Sequence, residues 1–253
     1  MNGLPTVDID SDPRVTGEYI RQFPSDEGTL TLVGVVHDHP ASVYRVRHVI
    51  GSVDPAVLAV ELPPISLPLF KQYAATDRTP PAFGGEMSAA MQAAGTAAVV
   101  GIDRPTAGFV RQLGRTLLRE RPSIATVRAV VANAVDTTTH ALVCRAAAAV
   151  GAHTSIRFGV DAPTAHAIER TAAPAEQARD EREQVRRARS FMTAFPSANR
   201  SRAARLEDDA REAAMAARLG DLRENEEGNI VAVVGIDHLD PVAERLNEAA
   251  GEV

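Results

Sequence analysis

A chain of 253 residues with 45% apolar and 24% charged residues has the material for one large core, and its net charge of −6 excludes a nucleic-acid binder that relies on a broadly basic face. One cysteine, Cys144, excludes an intrachain disulfide framework and a thiolate-rich metal cage, and its surroundings, HALVCRAAAA, predict a small buried helical thiol. The opening MNGLPTVDIDSDP has neither the basic start nor the apolar stretch of a secretory signal, no window is apolar enough to span a bilayer, and the reading is cytoplasmic with no membrane span.

In chain order, TLTLVGVV (29–36) is β-branched and ends at glycine, as a buried strand does. PASVYRVRHVIG (40–51) puts Val43, Val46 and Ile50 on one helical face between Pro40 and Gly51. AVLAVEL (56–62) reads as the next strand, so strand, helix and strand form a right-handed crossover. After the proline-rich LPPISLP come a short helix near Leu69 to Ala75, a glycine loop entering the helix of GGEMSAAMQAAG, and the strand AAVVGID (97–103). The middle, 105–227, reads as mostly helical, with one strand candidate at TSIRFGVD (154–161) and a break at FPSANRS (195–201). Within it AEQARDEREQVRRARSF has charges of both signs and reads as a solvated helix face rather than a coiled-coil arm. NIVAVVGID (229–237) is the last strand and 240–250 a closing helix. The alternation predicts a single α/β domain over 1–253: a central, mainly parallel β-sheet with flanking helices from 28–104 and 229–250, and a large helical insertion, 105–227.

Two stretches share one construction. LVGVVHDHP (32–40) and VVGIDHLDP (233–241) each run apolar, glycine, two residues, histidine. A second echo, GIDRPTAGF (101–109) and GVDAPTAHA (159–167), follows a strand end with aspartate and a Pro-Thr helix start. In an open parallel sheet, ligands bind outside the carboxyl ends of the strands, so neighbouring strands would bring His37 and His238 to one rim despite their distance in sequence. Glu61 ends a strand where an apolar side chain is expected; an unpaired buried carboxylate is costly, so a cation should lie near it. Glu86 follows Gly84 and Gly85 at a helix start, where a carboxylate is also favoured by the helix dipole alone. Asp103 and Arg104 leave the third strand, as site residues or as an ion pair or cap. Two histidines with one or two carboxylates suit a divalent transition metal (Mn, Co or Zn) with open positions for water. His39 and His48 read as bystanders, and His140, His153 and His166 have no ligand spacing.

These segments, with AREAAMAARL (210–219) before the last strand, resemble the TraB/PrgY/GumN family, which includes the Tiki proteins, over most of 30–113 and 205–246. The hallmark is the paired Gly-x-x-His motif, Gly34 to His37 and Gly235 to His238. The chain departs from the family pattern at Val35 and Val36, at Ile236 and Asp237, and at Ala210. The resemblance implies an α/β sheet with helical insertions, His37, Glu61 and His238 as metal or catalytic residues, and Arg211 as a family arginine. It also implies a metal-dependent hydrolase acting on a peptide amide. A metal would lower the pKa of its bound water and polarise the carbonyl. Glu61, or Glu86 if Glu61 is a ligand, would be the general base, and Arg104 or Arg211 would stabilise the oxyanion. The alternative is a non-catalytic protein that holds a peptide or small ligand in the same rim, with haem binding as a weaker third option. The expected partner is a peptide or small-molecule substrate, with no nucleic acid, and the apolar helical middle leaves room for a homodimer contact.

Overall fold

The structure, a computed structural model, describes residues 12–154, 158–160, 164–194 and 201–251. Strands β1 (Ile20–Ser25), β2 (Gly28–Val35), β3 (Val57–Val60), β4 (Ala98–Gly101) and β5 (Ile230–Gly235) form one sheet in the order β1-β2-β5-β3-β4. β2, β5, β3 and β4 run parallel, and β1 is an antiparallel edge. The chain is an α/β protein with a mainly parallel sheet, as its sequence predicts.

The β2 run shows how the sheet buries both faces. Val33 and Val35 join a core with Val46, Ile50, Leu58, Val60 and Val231, while Leu30 and Leu32 join a second core with Met215, Leu219, Val234 and Leu239. Strands covered on both sides need no polar face, so even Thr29 and Thr31 of β2 are buried and β5 reads as the uninterrupted apolar run IVAVVG. Helices α1 (Pro40–Val53), α2 (Leu67–Ala74), α3 (Gly85–Ala94) and α5 (Ile124–His153) serve the first core, with α4 (Ala107–Glu120), α7 (Arg202–Asn225) and α8 (Ile236–Gly251) on the other side. Pro40 starts α1, the His39 ring accepts from the Ala41 amide at 3.1 Å, and Asp54 closes the helix in the left-handed region. Cys144 is buried in the first core, on α5.

Several boundaries differ from the sequence reading. β1 is not predicted, because IRQFPS alternates irregularly and holds Pro24; an edge strand tolerates a proline that a central strand cannot. The closing helix begins at Ile236, not at 240, with Pro241 inside it, so His238 sits on a helical turn and not in a loop. No strand forms at Thr154 or 158–160; the rest of that candidate, 155–157 and 161, lies outside the described residues, as do 195–200 of the expected break and 1–11 of the amino-terminal segment.

Helix α6 (Pro174–Ala194) is the largest departure. It is docked on the sheet domain, not simply solvated: Glu181 is 1% exposed and pairs with the fully buried guanidinium of Arg45, and Ser42 donates to the same carboxylate at 2.5 Å. Asp180 meets His39 Nε2 at 3.1 Å, which makes His39 a buried structural residue. His48 lies stacked on Tyr44, away from the rim. Among the described residues no helix is long and apolar enough to cross a membrane.

Candidate functional site

Topology brings the paired motifs together. β2 and β5 are neighbours with Val35 opposite Gly235, and β3 lies on the other side of β5, where the Glu61 amide bonds the Val233 carbonyl at 3.0 Å. His37, His238, Glu61 and Asp103 each follow the carboxyl end of a different parallel strand, so they share one rim.

Gly235 sits at the centre of the cluster. A Cβ placed on it would lie 3.4 Å from Glu61 Oε2, 3.7 Å from His37 Nε2 and 3.8 Å from His238 Cδ2. The open space above this glycine is thus faced by all three side chains and belongs to a cleft of about 400 Å³ that Arg211 also lines, with Gln184 and Ala188 of α6 on the opposite wall. A second lobe of about 310 Å³ shares His37 and Glu61 and continues to Phe70, Phe83 and Met87. Gly34, the matching glycine of the first motif, serves packing instead. A Cβ there would press on Leu239 Cδ2 at 2.8 Å, so its absence lets α8 approach the sheet.

His37 is aimed by its partners. Its Nδ1 donates to Glu86 Oε1 at 2.7 Å, and the other oxygen of Glu86 accepts from the Asp38 amide at 2.8 Å. Glu86 is 2% exposed, so its place at the start of α3 serves the histidine directly. Asp38 holds a left-handed backbone, φ 58°, and its carboxylate accepts from the Thr164 amide at 2.8 Å. The glycine at 85 is needed because a side chain would overlap Asp38 Oδ1. His166 Nε2 reaches the His37 carbonyl at 2.7 Å, a contact that spacing does not reveal. The hydrogen bond to Glu86 outweighs partial desolvation and raises the His37 pKa to about 9. Its side chain remains 59% exposed, with Nε2 turned to the cleft.

Arg211 answers the need for a cation beside Glu61. It donates to both oxygens of Asp103, from Nε at 2.9 Å and from Nη2 at 2.8 Å, and the same Nη2 donates to Glu61 Oε1 at 2.8 Å. Glu61 Oε2 accepts from the Gly235 amide at 2.5 Å. Burial works against the charge of Arg211, but Asp103 and Glu61 outweigh it and push its pKa up. His238 Nε2 faces Arg211 Nη1 at 3.2 Å, and its Nδ1 bonds Glu212 Oε1 at 3.1 Å. Burial opposes protonation of His238, yet Glu212 and Glu61 prevail and its pKa is raised. Glu212, one position after Arg211, carries no mark in the sequence, because only the helix turn of α7 points it at His238.

Arg104 is not brought into the cleft. It pairs with Glu207 and lies over the Phe109 ring, so of the two candidate oxyanion groups only Arg211 lines the site. Asp103 takes part by holding Arg211.

The expected metal ion does not fit this arrangement. A ligand set of His37, His238 and Glu61 needs free lone pairs, but Glu61 is engaged by a guanidinium and an amide, and His238 Nε2 faces the same guanidinium. Among the described residues no group of three His, Cys, Asp or Glu is placed to hold a metal ion. Arg211, which stays charged at any physiological pH, stands where the positive charge of an ion would be. Comparison with protein-family models, with curated proteins and with solved structures finds no match to this chain, which leaves its own residues as the ground for its chemistry.

Proposed function

We propose that the rim cleft is the active site of a hydrolase acting on a carbonyl substrate, with a peptide amide as the substrate class. One observation carries this reading: the space above Gly235 is within 4 Å of a ring nitrogen of His37 and a carboxylate oxygen of Glu61. A water there could be oriented by Glu61 and give its proton to neutral His37 Nε2. The imidazolium, steadied by Glu86, then returns that proton to the leaving nitrogen, so one histidine serves as base and then as acid. The guanidinium of Arg211 faces the charge that develops on the carbonyl oxygen. The two adjoining lobes, meeting at His37 and Glu61, give room for substrate on both sides of the scissile bond. The resemblance to the TraB/PrgY/GumN family points to the same residues and adds a divalent metal, which would require Arg211 to release Glu61 and His238.

A second reading is a binding protein that holds a peptide or small ligand without turnover. It is favoured by the pairing of Glu61 with both Arg211 and the Gly235 amide, which engages both carboxylate oxygens in holding the fold rather than a water. A mixture of peptides and simple esters, incubated with the protein and followed by mass spectrometry, separates the two. Product formation that falls about 10²–10⁴-fold in His37→Ala supports the hydrolase. Stoichiometric retention of intact ligand, unchanged in Glu61→Gln, supports the binder.

A further inference from the structure

The charges of α6 look mixed in sequence but are sorted in space. Its acids Asp180 and Glu181 turn inward to His39 and Arg45, and this leaves the arginines outside. Arg179, Arg182, Arg186 and Arg189 recur at intervals of three and four residues, so they share one face of the helix. They line a groove of about 890 Å³ together with Glu18, Glu183, Val185 and Ser190.

The balance of charge in that groove is positive. Glu183 is shared by Arg186 at 3.4 Å and Arg187 at 2.7 Å, and Asp240 stands 3.9 Å from Arg189. Arg179 and Arg182 make no ion pair among the described residues. A chain whose net charge is −6 thus concentrates cations on one helix face, which attracts anionic groups and suits paired hydrogen bonding to carboxylates.

We infer that this groove binds an acidic peptide segment through Arg179 and Arg182. A single-stranded nucleic acid is disfavoured because, among the described side chains, no aromatic lines the groove for base stacking. A peptide also suits the surroundings: Val185 lines both the groove and the rim cleft, so a bound chain could extend from one to the other. That last step alone rests on the hydrolase reading; the binding surface does not.

The test uses the full chain and fluorescence anisotropy with a fluorescein-labelled decaglutamate at low ionic strength, an equilibrium measurement that needs no turnover. Binding is expected to weaken with added salt and to fall about tenfold or more in Arg179→Ser with Arg182→Ser. Both side chains are exposed, so circular dichroism should show an unchanged fold. Arg128→Ser with Arg145→Ser, two exposed arginines on α5, controls for the loss of two charges and should bind as the parent does. Absence of decaglutamate binding, an equal loss in Arg128→Ser with Arg145→Ser, or tighter binding of a single-stranded oligonucleotide of equal charge would each overturn the inference.

Discussion

Arg211 and Glu61, 150 residues apart in sequence, are joined at 2.8 Å by a hydrogen-bonded ion pair at the carboxyl rim of the sheet. The same guanidinium grips Asp103, so one side chain neutralises two carboxylates that are each less than a tenth exposed. Replacement by Met leaves both without their cation. A loss of about 3–5 kcal/mol is expected, read from the urea midpoint. Adding Asp103→Asn should recover part of it, since one stranded charge is then removed; no recovery would mean that Arg211 acts mainly by packing.

The pairing of His37 with Glu86 sets a pH dependence in two quantities. Because the folded pKa is raised from 6.5 to about 9, the pair's contribution to stability is complete below 6.5 and is lost as pH rises through about 9. Exposure of the ring to solvent keeps that contribution small. Activity should run the opposite way: a base must be neutral, so kcat/KM is expected to rise tenfold per pH unit and level off near 9. Glu86→Gln should move the NMR titration of His37 down toward its ordinary value and shift the rate profile with it. A profile that is flat to 9 and then falls would assign His37 the role of acid alone.

The two motif glycines should respond differently to alanine. At Gly34 the new methyl meets Leu239 and Ile236 at 2.8 and 3.0 Å, and overpacking of about 1–3 kcal/mol is expected in thermal or urea unfolding. At Gly235 the nearest atom is at 3.4 Å, so stability should hold while the methyl fills the space between His37 and Glu61 and suppresses turnover. Equal destabilisation in both variants would show that Gly235 serves packing as well.

Chelation distinguishes the arginine-filled rim from a metal centre. With Glu61 and His238 both engaged by Arg211, protein purified without added metal should contain well under one equivalent of Mn, Co or Zn, and its unfolding temperature should not change with a chelator. A stoichiometric ion lost together with stability, and restored by add-back, would instead place a metal among His37, His238 and Glu61.

Much of the sheet is legible in the sequence because burial on both faces writes strands as continuous apolar runs: VLAV and IVAVVG need no partner to be recognised. The strand order is not written there, although the convergence of His37 and His238 depends on it, since only backbone pairing of β2 with β5 places their ends side by side. Chemistry at the rim is half visible. A carboxylate at the end of a buried strand demands a cation, and that demand is local; which cation answers it is not, and Arg211 comes from a helix far along the chain. Arg104, beside Asp103 in sequence, turns away to Glu207, showing that adjacency along the backbone does not fix where a long side chain finds its partner.

Residue types and their periodicity thus determined the strands, the glycine breaks and the polar groups at strand exits, because each follows from a few neighbouring side chains and the solvent. Tertiary structure alone decided that Arg211 would engage Glu61 and His238, that Glu212 and His166 would support the two histidines, and that α6 would turn Asp180 and Glu181 inward to His39 and Arg45. Those outcomes depend on which charges are taken out of water together, and an ion pair forms between groups that packing brings within a few ångströms, wherever they lie in the sequence.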